Sequence, residues 1–171
     1  MKTLIKNGTL VTASESFKAD LLMEDGKIAL IGASLPADGA QVVDGTGKYV
    51  LPGAIDVHTH LELPFGGTVS SDDFYSGHKA AAFGGTTFHI DFAIQAKGET
   101  LHQTVERWHK KSDHKAVLDF GYHMAIADLT EDVLNEIPQM GPEGIPSLKL
   151  FMAYNGILQV DDTTLFKTLM K

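Results

Sequence analysis

Two histidines separated by one residue, His58 and His60, are the side chains in this sequence whose types and spacing most suggest chemistry. They end a run of apolar and β-branched residues, 54–60, that predicts a buried β-strand. Because strand side chains alternate between faces, both imidazoles should point the same way, about 6.6 Å apart along the chain. In a polar loop such a pair would more often be unliganded. At the end of a buried strand two unpaired imidazoles are costly, so we interpret them as ligands of a shared metal ion.

The composition limits the partners and the ligands. The 171 residues are 43% hydrophobic and 21% charged, and the net charge of −8 is spread without a basic run. This argues against nucleic acid or an anionic membrane as partner. There is no cysteine, so a metal could be held only by His, Asp, Glu or a modified side chain. No signal peptide or membrane-spanning run is recognisable, and we expect a cytoplasmic protein.

Residues 1–52 consist of short apolar runs separated by turn signals, which predict a small all-β unit. The pairs Asn7-Gly8 and Asp25-Gly26 are both typical of hairpin turns. The predicted strands are residues 4–6, 9–13, 19–23, 27–31, 41–44 and 48–51.

From residue 53 onward, strands alternate with helical patterns, which predicts parallel strands joined by crossover helices. The predicted strands are residues 54–60, 86–94, 117–127 and 147–154. Helices are predicted to begin near Asp73, Leu101, Thr130 and Asp161, with Pro138 breaking the third. Four β/α units make half of an eight-unit barrel. The chain ends just after the fourth helix, which favours a truncated barrel over a compact open sheet.

Several motifs, in the same order along the chain, resemble the D-hydantoinase/dihydropyrimidinase family of the amidohydrolase superfamily. The motifs are PGAIDVHTH at 52–60, PFGGT at 64–68, AAAFGGTT at 80–87, DFAI at 91–94 and SLKLFMAY at 147–154. The likeness runs from about residue 3 to the end of the chain. It implies an α/β fold, a (β/α)8 TIM-type barrel, with residues 53–171 as its N-terminal half. Residues 1–52 would be a portion of the small β-sandwich that accompanies the barrel.

The resemblance also implies two divalent metal ions, usually zinc, at the C-terminal ends of the barrel strands. His58 and His60 match the family's first-strand ligands, and Lys149 matches its carboxylated lysine, which bridges both metals. A protonated amine cannot ligate a cation, whereas the carbamate formed with carbon dioxide is an anion with two oxygens. Without the surrounding motif, Lys149 would be interpreted as a lysine extending from a strand end into solvent.

Tyr154 matches the family tyrosine whose hydroxyl donates to the oxygen of the tetrahedral intermediate, a contribution often worth ~2.7–4 kcal/mol. Leu61, Leu63, Phe65 and Phe151 would line the pocket for the substrate's exocyclic group, although they could equally be core residues. The implied substrate is a small cyclic amide, a hydantoin or a dihydropyrimidine. A metal-bridging hydroxide would open its ring to an N-carbamoyl amino acid.

The other histidines receive no ligand role. Those interpreted as structural or solvated are His78, His89, His102, His109 and His114. His123 lies inside the third strand of the alternating region and matches no family ligand. Asp56 could orient one of the ligand histidines or simply cap the strand.

The family completes its site with two further histidines and an aspartate from later barrel strands, which lie outside this sequence. We therefore expect the 171-residue chain to be inactive alone and the complete protein to form a homo-oligomer, a tetramer. One alternative is a non-catalytic, dihydropyrimidinase-like scaffold or assembly protein, against which the combination of His58, His60 and Lys149 argues. Another is a self-contained small metal-binding module.

Overall fold

The computed structural model describes residues 1–171, which form two compact units, residues 1–52 and 53–171. The first unit is a five-stranded mixed sheet of order β3-β2-β1-β4, with β5 also paired to β1. Its strands are β1 (Lys2–Val11), β2 (Ser16–Glu24), β3 (Lys27–Gly32), β4 (Gln41–Asp44) and β5 (Tyr49–Val50). Strand β2 is antiparallel to β1 and β3, whereas β4 and β5 run parallel to β1. The turn predicted at Asp25-Gly26 joins β2 to β3, with positive φ at both residues.

The hairpin turn predicted at Asn7-Gly8 is wrong, because β1 continues through these residues as a β-bulge. Asn7 has a φ of 61°, and its N–H donates to the buried carboxylate of Asp20 at 2.8 Å. The N–H of Leu35 donates to the other oxygen, and these bonds together lower the pKa of Asp20. An Asn-Gly pair suits a bulge as well as a turn, and the buried Asp20 acceptor stabilises the bulge here.

The second unit contains a four-stranded parallel sheet of order β11-β10-β9-β6, so the predicted alternation of parallel strands and helices is confirmed. Its strands are β6 (Ala54–Thr59), β9 (Thr86–Ile94), β10 (Asp119–Ile126) and β11 (Leu148–Leu150), and a small hairpin is formed by β7 (Pro64–Phe65) and β8 (Thr68–Val69). The helices are α1 (Phe74–Gly84), α2 (Leu101–Ser112), α3 (Glu131–Met140) and α4 (Asp162–Leu169). No helix is both long and apolar enough to span a membrane.

Side-chain caps fix where the helices begin. Asp73 caps α1 and forms a capping box with Ser76, while Thr100, Thr130 and Asp161 cap the other three helices. Each cap accepts a hydrogen bond from an otherwise unpaired amide of the first turn, a contribution typically worth ~1 kcal/mol. The helix starts could therefore be predicted from short polar residues ahead of apolar periodicity.

Two predicted boundaries are wrong. Pro138 does not break α3, which continues to Met140, because a proline this close to the helix end removes only one of the last hydrogen bonds. The fourth parallel strand ends at Leu150 rather than at Tyr154. Tyr154 has a φ of 65° and begins a turn, in which its carbonyl accepts hydrogen bonds from the amides of residues 157–159.

The core of the second unit lies between the sheet and its helices. Its buried apolar residues are Phe74, Ala93, Leu101, Trp108, Tyr122, Met124, Ile126, Val133, Ile137, Met140 and Ile145. Strand β6, which the sequence predicts to be buried, is exposed within these 171 residues, because they form half of a barrel and include only one strand that pairs with it, β9. Ile55 and Val57 are 62% and 55% exposed. Alternation with β-branched residues predicted the strand, but it carries no information about the position of the strand in the sheet.

Replacing Gly85 with Ala should lower the free energy of unfolding by about 1 kcal/mol, because Gly85 ends α1 at a φ of 88°, a left-handed conformation that a Cβ disfavours. Gly84→Ala is the matched control, since Gly84 is the last helical residue and a Cβ there would meet nothing within 4 Å. We expect that control to be neutral or stabilising by up to ~1 kcal/mol. Urea denaturation measures both, and equal effects of the two substitutions would contradict the assignment of Gly85 as the cap.

Candidate metal and substrate site

One face of the parallel sheet gathers four polar side chains around the ring of Phe92. The ring centres of His58, His60 and His123 lie 4.6, 5.1 and 4.8 Å from that of Phe92. The Nζ of Lys149 lies 5.7 Å from the same ring centre. We call these five residues the Phe92 cluster. They come from all four parallel strands or the residue directly after one, so the structure brings the three predicted ligands, His58, His60 and Lys149, to one place.

Strand β6 carries a β-bulge at the histidine pair. Between two positions that pair with β9, Asp56 and Thr59, β6 contains one more residue than its partner. The Oδ1 of Asp56 accepts a hydrogen bond from the backbone N–H of His58 at 3.1 Å, so Asp56 positions the backbone of this residue. The rings of His58 and His60 lie edge to face with centres 5.1 Å apart. Bulges re-aim side chains, and this one includes His58.

The lowered pKa of His60 suits metal ligation. Loss of hydration lowers the pKa of His60, the neighbouring His58 and Lys149 act in the same direction, and Asp91 opposes them. A lowered pKa keeps the imidazole neutral, the form that binds metals. Lys149 has no carboxylate partner, and its Nζ lies 5.1 Å from the ring centre of Phe151 as well as close to that of Phe92.

The side chains of the Phe92 cluster fit a metal centre only if Lys149 is carboxylated. No group of three or more His, Cys, Asp or Glu side chains could hold a metal ion in this chain. A centre with three ligands from these residues therefore needs Lys149. As an ammonium Lys149 would repel a cation, whereas as a carbamate it would offer two anionic oxygens beside the two imidazoles.

His123 belongs to the cluster but has both of its ring nitrogens occupied. Its Nε2 lies 3.0 Å from the carbonyl oxygen of Val57, and its Nδ1 contacts the Oγ of Ser147. Because a carbonyl can only accept, Nε2 carries the proton and Nδ1 accepts from the serine hydroxyl. His123 thus connects β6 to the segment before β11 across the ring of Phe92. No role is predicted for it from sequence patterns, because only the register between β9 and β10 places His123 beside Phe92.

Tyr154 is 50% exposed and connects to the cluster through aromatic rings. Its ring lies edge to face with those of Phe65 and Phe151, at centre distances of 5.3 and 5.8 Å. Phe151 in turn lies beside Lys149. The turn that begins at Tyr154, with its positive φ, therefore presents a phenol near the three ligand candidates.

The leucines assigned to the substrate pocket are half buried. Leu61 and Leu63 both pack against the core of the second unit. Leu63 also borders a cavity of 180 Å³, together with Phe65, Trp108 and Ile157. Their role in binding an exocyclic group stays a prediction.

The opposite face of the sheet carries a chain of hydrogen bonds that the sequence did not reveal. Nε2 of His78 bonds to Nε2 of His89, and Nδ1 of His89 lies 2.9 Å from the Oγ1 of Thr59. The same hydroxyl lies 3.0 Å from Oδ2 of Asp91. We call these four residues the buried relay, since His78, His89 and Asp91 are each at most 2% exposed. No local pattern predicts the contact, because His78 lies on α1 and His89 on β9.

The backbone fixes the direction of every proton in the buried relay. Nδ1 of His78 accepts from the amides of residues 117–118, each at 3.1 Å, so this nitrogen carries no proton. Neutral His78 is therefore protonated at Nε2 and donates to His89. His89 is then protonated at Nδ1 and donates to Thr59, whose hydroxyl donates to Asp91.

Burial sets the ionisation of the buried relay. It lowers the pKa of His78 and takes that of His89 to about 4, so both imidazoles are neutral at pH 7. Burial raises the pKa of Asp91. The hydrogen bonds to its carboxylate act in the opposite direction and partly offset this increase. One of these comes from the N–H of Leu61 at 2.8 Å, the residue that follows His60.

A parallel β/α half-barrel, with a His-x-His pair at the end of its first strand and a lysine on its fourth, defines the class of protein: the amidohydrolase TIM barrel. Comparison with known proteins identifies the family within this class. The chain is 57% identical over 171 residues to a D-hydantoinase of Geobacillus stearothermophilus, covering 99% of this chain and 36% of that protein. No family profile matches the chain.

Solved structures agree. A crystal structure of a D-hydantoinase matches with a TM-score of 0.96 at 55% identity, and that of a dihydropyrimidinase from Brevibacillus agri NCHU1002 with 0.96 at 53%. Each match covers 99% of this chain and 37% of the solved one. The chain belongs to the D-hydantoinase/dihydropyrimidinase family, as predicted, and corresponds to an N-terminal portion of its members. It spans little more than a third of their length.

Acidification should destabilise the second unit through His89. An unfolded histidine binds a proton near its ordinary pKa of about 6.5, whereas folded His89 does so only near pH 4. The contribution of this residue to stability is therefore complete above pH 6.5 and is lost as the pH falls from about 6.5 to 4, by roughly 3 kcal/mol. Urea denaturation across this range should show a shallower pH dependence for His89→Gln than for the unsubstituted chain.

The exposed His114 provides the control for this measurement. With a φ of 67°, it accommodates Asn, and His114→Asn should leave the pH dependence unchanged. A slope that His89→Gln leaves intact would show that His89 is charged in the folded state.

Proposed function

We propose that the complete protein containing this chain is a metal-dependent hydrolase that opens cyclic amides, hydantoins or dihydropyrimidines, to N-carbamoyl amino acids. The observation that carries the proposal is the convergence of His58, His60 and Lys149 around Phe92. It is supported by relatives named D-hydantoinase and dihydropyrimidinase that match nearly the whole chain.

His58, His60 and carboxylated Lys149 would hold two divalent ions, which we take to be zinc, the ion that imidazole ligands suit. The carbamate has an oxygen for each ion and so would bridge them. When bound, such ions polarise a carbonyl and acidify water. The chain's own contribution is to keep the imidazole of His60 neutral and to leave the lysine free of any carboxylate that would hold it as an ammonium.

Tyr154 is assigned to the carbonyl oxygen of the substrate. Its phenol can donate a hydrogen bond where negative charge develops as water adds to the ring carbonyl. Phe65 and Phe151 hold its ring on two sides, and with Leu63 they would receive the exocyclic substituent. Water adds to the carbonyl carbon, the ring C–N bond breaks, and the ring nitrogen leaves with a proton.

No side chain of the Phe92 cluster is free to serve as general base. Both nitrogens of His123 are engaged, and His58, His60 and Lys149 are assigned to metal. We therefore expect the 171 residues alone to be inactive. The complete protein is proposed to be a homotetramer, as the resemblance to the family implies. Sedimentation tests this state.

The decisive experiment expresses the complete reading frame and the 171-residue chain separately, each with zinc and bicarbonate. We expect bound zinc and opening of hydantoin or dihydrouracil only with the complete protein. Lys149→Ala should abolish metal binding and activity together, because the bridging ligand is lost. Lys167→Ala, at an exposed lysine on α4, is the matched control and should change neither.

Other outcomes would discriminate between the alternatives. A complete protein that binds no metal and opens neither ring would favour the non-catalytic scaffold. Activity of the 171-residue chain would contradict the assignment of the missing base.

Tyr154→Phe in the complete protein should lower kcat about 10²–10³-fold, because a hydrogen bond made in the transition state is lost. The zinc content should be unchanged. Tyr75→Phe removes the hydroxyl of a similarly exposed tyrosine on α1 and should have no effect. A change in KM alone would show that Tyr154 binds substrate without stabilising the developing charge.

A further inference from the structure

The pairing of the segment that carries the ligand histidines is irregular. The ladder between β6 and β9 is interrupted by the bulge between Asp56 and Thr59. Pairing with β9 therefore leaves the two residues most in need of a fixed geometry, His58 and His60, without a regular ladder to that strand. Additional contacts from outside the ladder must support this segment.

Side chains supply that support, and most of it comes from Asp91. Its Oδ2 accepts from the hydroxyl of Thr59 at 3.0 Å and from the N–H of Leu61 at 2.8 Å. These two residues alternate with the ligand histidines, so one carboxylate oxygen binds the chain on both sides of His60. A charge this deeply buried keeps its geometry only while its donors are in place.

The hydroxyl of Thr59 has a single proton, and this proton is directed to Asp91 because Nδ1 of His89 donates to the hydroxyl and does not accept from it. The proton at Nδ1 of His89 depends on His78, which must donate at Nε2 because its Nδ1 accepts from the amides of residues 117–118. The orientation of the threonine hydroxyl is thus determined by α1 and by the segment before β10.

The imidazoles of His78 and His89 pack closely against each other and are shielded from water. Their ring planes are inclined at 87°, with ring centres 4.2 Å apart. The rings of Phe74 and Phe120 lie within 6.2 Å of both. A buried donor or acceptor that loses its partner here has no water to replace it, which makes the alternative arrangements costly.

We propose that His78, His89, Thr59 and Asp91 are positioning residues that fix the ligand segment of β6 from the face opposite the metal, and so set the affinity of His58 and His60 for zinc. This inference rests on the proposed metal site, but it concerns residues that touch neither metal nor substrate. The same support would act in the metal-free protein, because none of the hydrogen bonds involves a metal ion.

The proton arrangement is tested without metal. Solid-state ¹⁵N NMR of the histidine-labelled, metal-free complete protein should show one buried histidine as the Nε2–H tautomer and one as the Nδ1–H tautomer. Spectra of His78→Gln and His89→Gln assign the two signals. Finding both residues in the same tautomer, or either one doubly protonated at pH 7, would overturn the proposal.

The positioning role is tested by zinc affinity, measured by competition with a chromophoric chelator. Thr59→Val keeps the shape of the side chain and removes the hydroxyl, and it should weaken zinc binding about 10–100-fold. Thr59→Ser retains the hydroxyl and should restore most of the affinity. Activity at saturating zinc should largely return in Thr59→Val, because the reacting groups are unchanged.

Thr168→Val is the matched control. Thr168 is buried on α4, and its hydroxyl has no hydrogen-bond partner, so the same substitution there should leave zinc affinity unchanged. If Thr59→Val weakens binding no more than Thr168→Val does, the positioning role is wrong although the metal site stands. If the unsubstituted complete protein binds no zinc, the metal site is wrong and the positioning role is overturned with it.

A double-mutant cycle separates a connected relay from general damage to the core. If His78 acts through Thr59, the pair His78→Gln and Thr59→Val should weaken zinc binding no more than the larger of the two single effects. Additive losses, with each variant folded as judged by urea denaturation, would show that the two residues act independently and would overturn the relay.

Discussion

The second unit depends on one buried carboxylate. Asp91 lies in the middle of β9 and accepts hydrogen bonds from Thr59, Leu61 and its own neighbour Phe92. An ionised carboxylate removed from water is stable only when such donors surround it, so the donors cannot be lost one at a time without a large penalty. Asp91 thereby fixes the position of β6 relative to β9 where sheet pairing is least regular.

The next residue along β9 organises the other face. Because strand side chains alternate, Asp91 and Phe92 belong to opposite sides of the sheet, and the ring of Phe92 lies among His58, His60, His123 and Lys149. The buried relay contains Asp91, and the Phe92 cluster on the other face contains Phe92. The two groups are therefore built on adjacent residues of β9. His123 reinforces β6 from the open side through the carbonyl of Val57.

Local sequence patterns located the helices and strands of the second unit. They did not predict how these elements pair and pack against one another. Capping residues and apolar periodicity located the helices, and alternation located the strands. The bulge in β6 and the contact between His78 and His89 depend on register between strands and on packing between elements, which no local pattern contains. The short β11 follows from the left-handed conformation of Tyr154, which its sequence context does not demand.

For the candidate site, the resemblance to a known family supplied the residue roles that local patterns could not. Composition and spacing alone left Lys149 as a solvent-directed lysine, although they already indicated His58 and His60 as metal ligands. Ordered motifs placed the three together, and their grouping around one ring agrees with that expectation. Residues that support the ligands, Asp91 and His123 among them, were missed because their roles are defined only by which neighbours they meet in three dimensions.

The bulge in β6 has a consequence for cooperativity. A strand segment whose ladder is interrupted opens locally at a lower free energy than the regularly paired segments beside it. The histidines that it carries are then competent to bind only in the fraction of molecules in which this segment is closed, and the apparent affinity is reduced by that fraction. Anything that binds both imidazoles uses part of its binding free energy to close the segment, so ligand binding and local folding are a single equilibrium at this bulge.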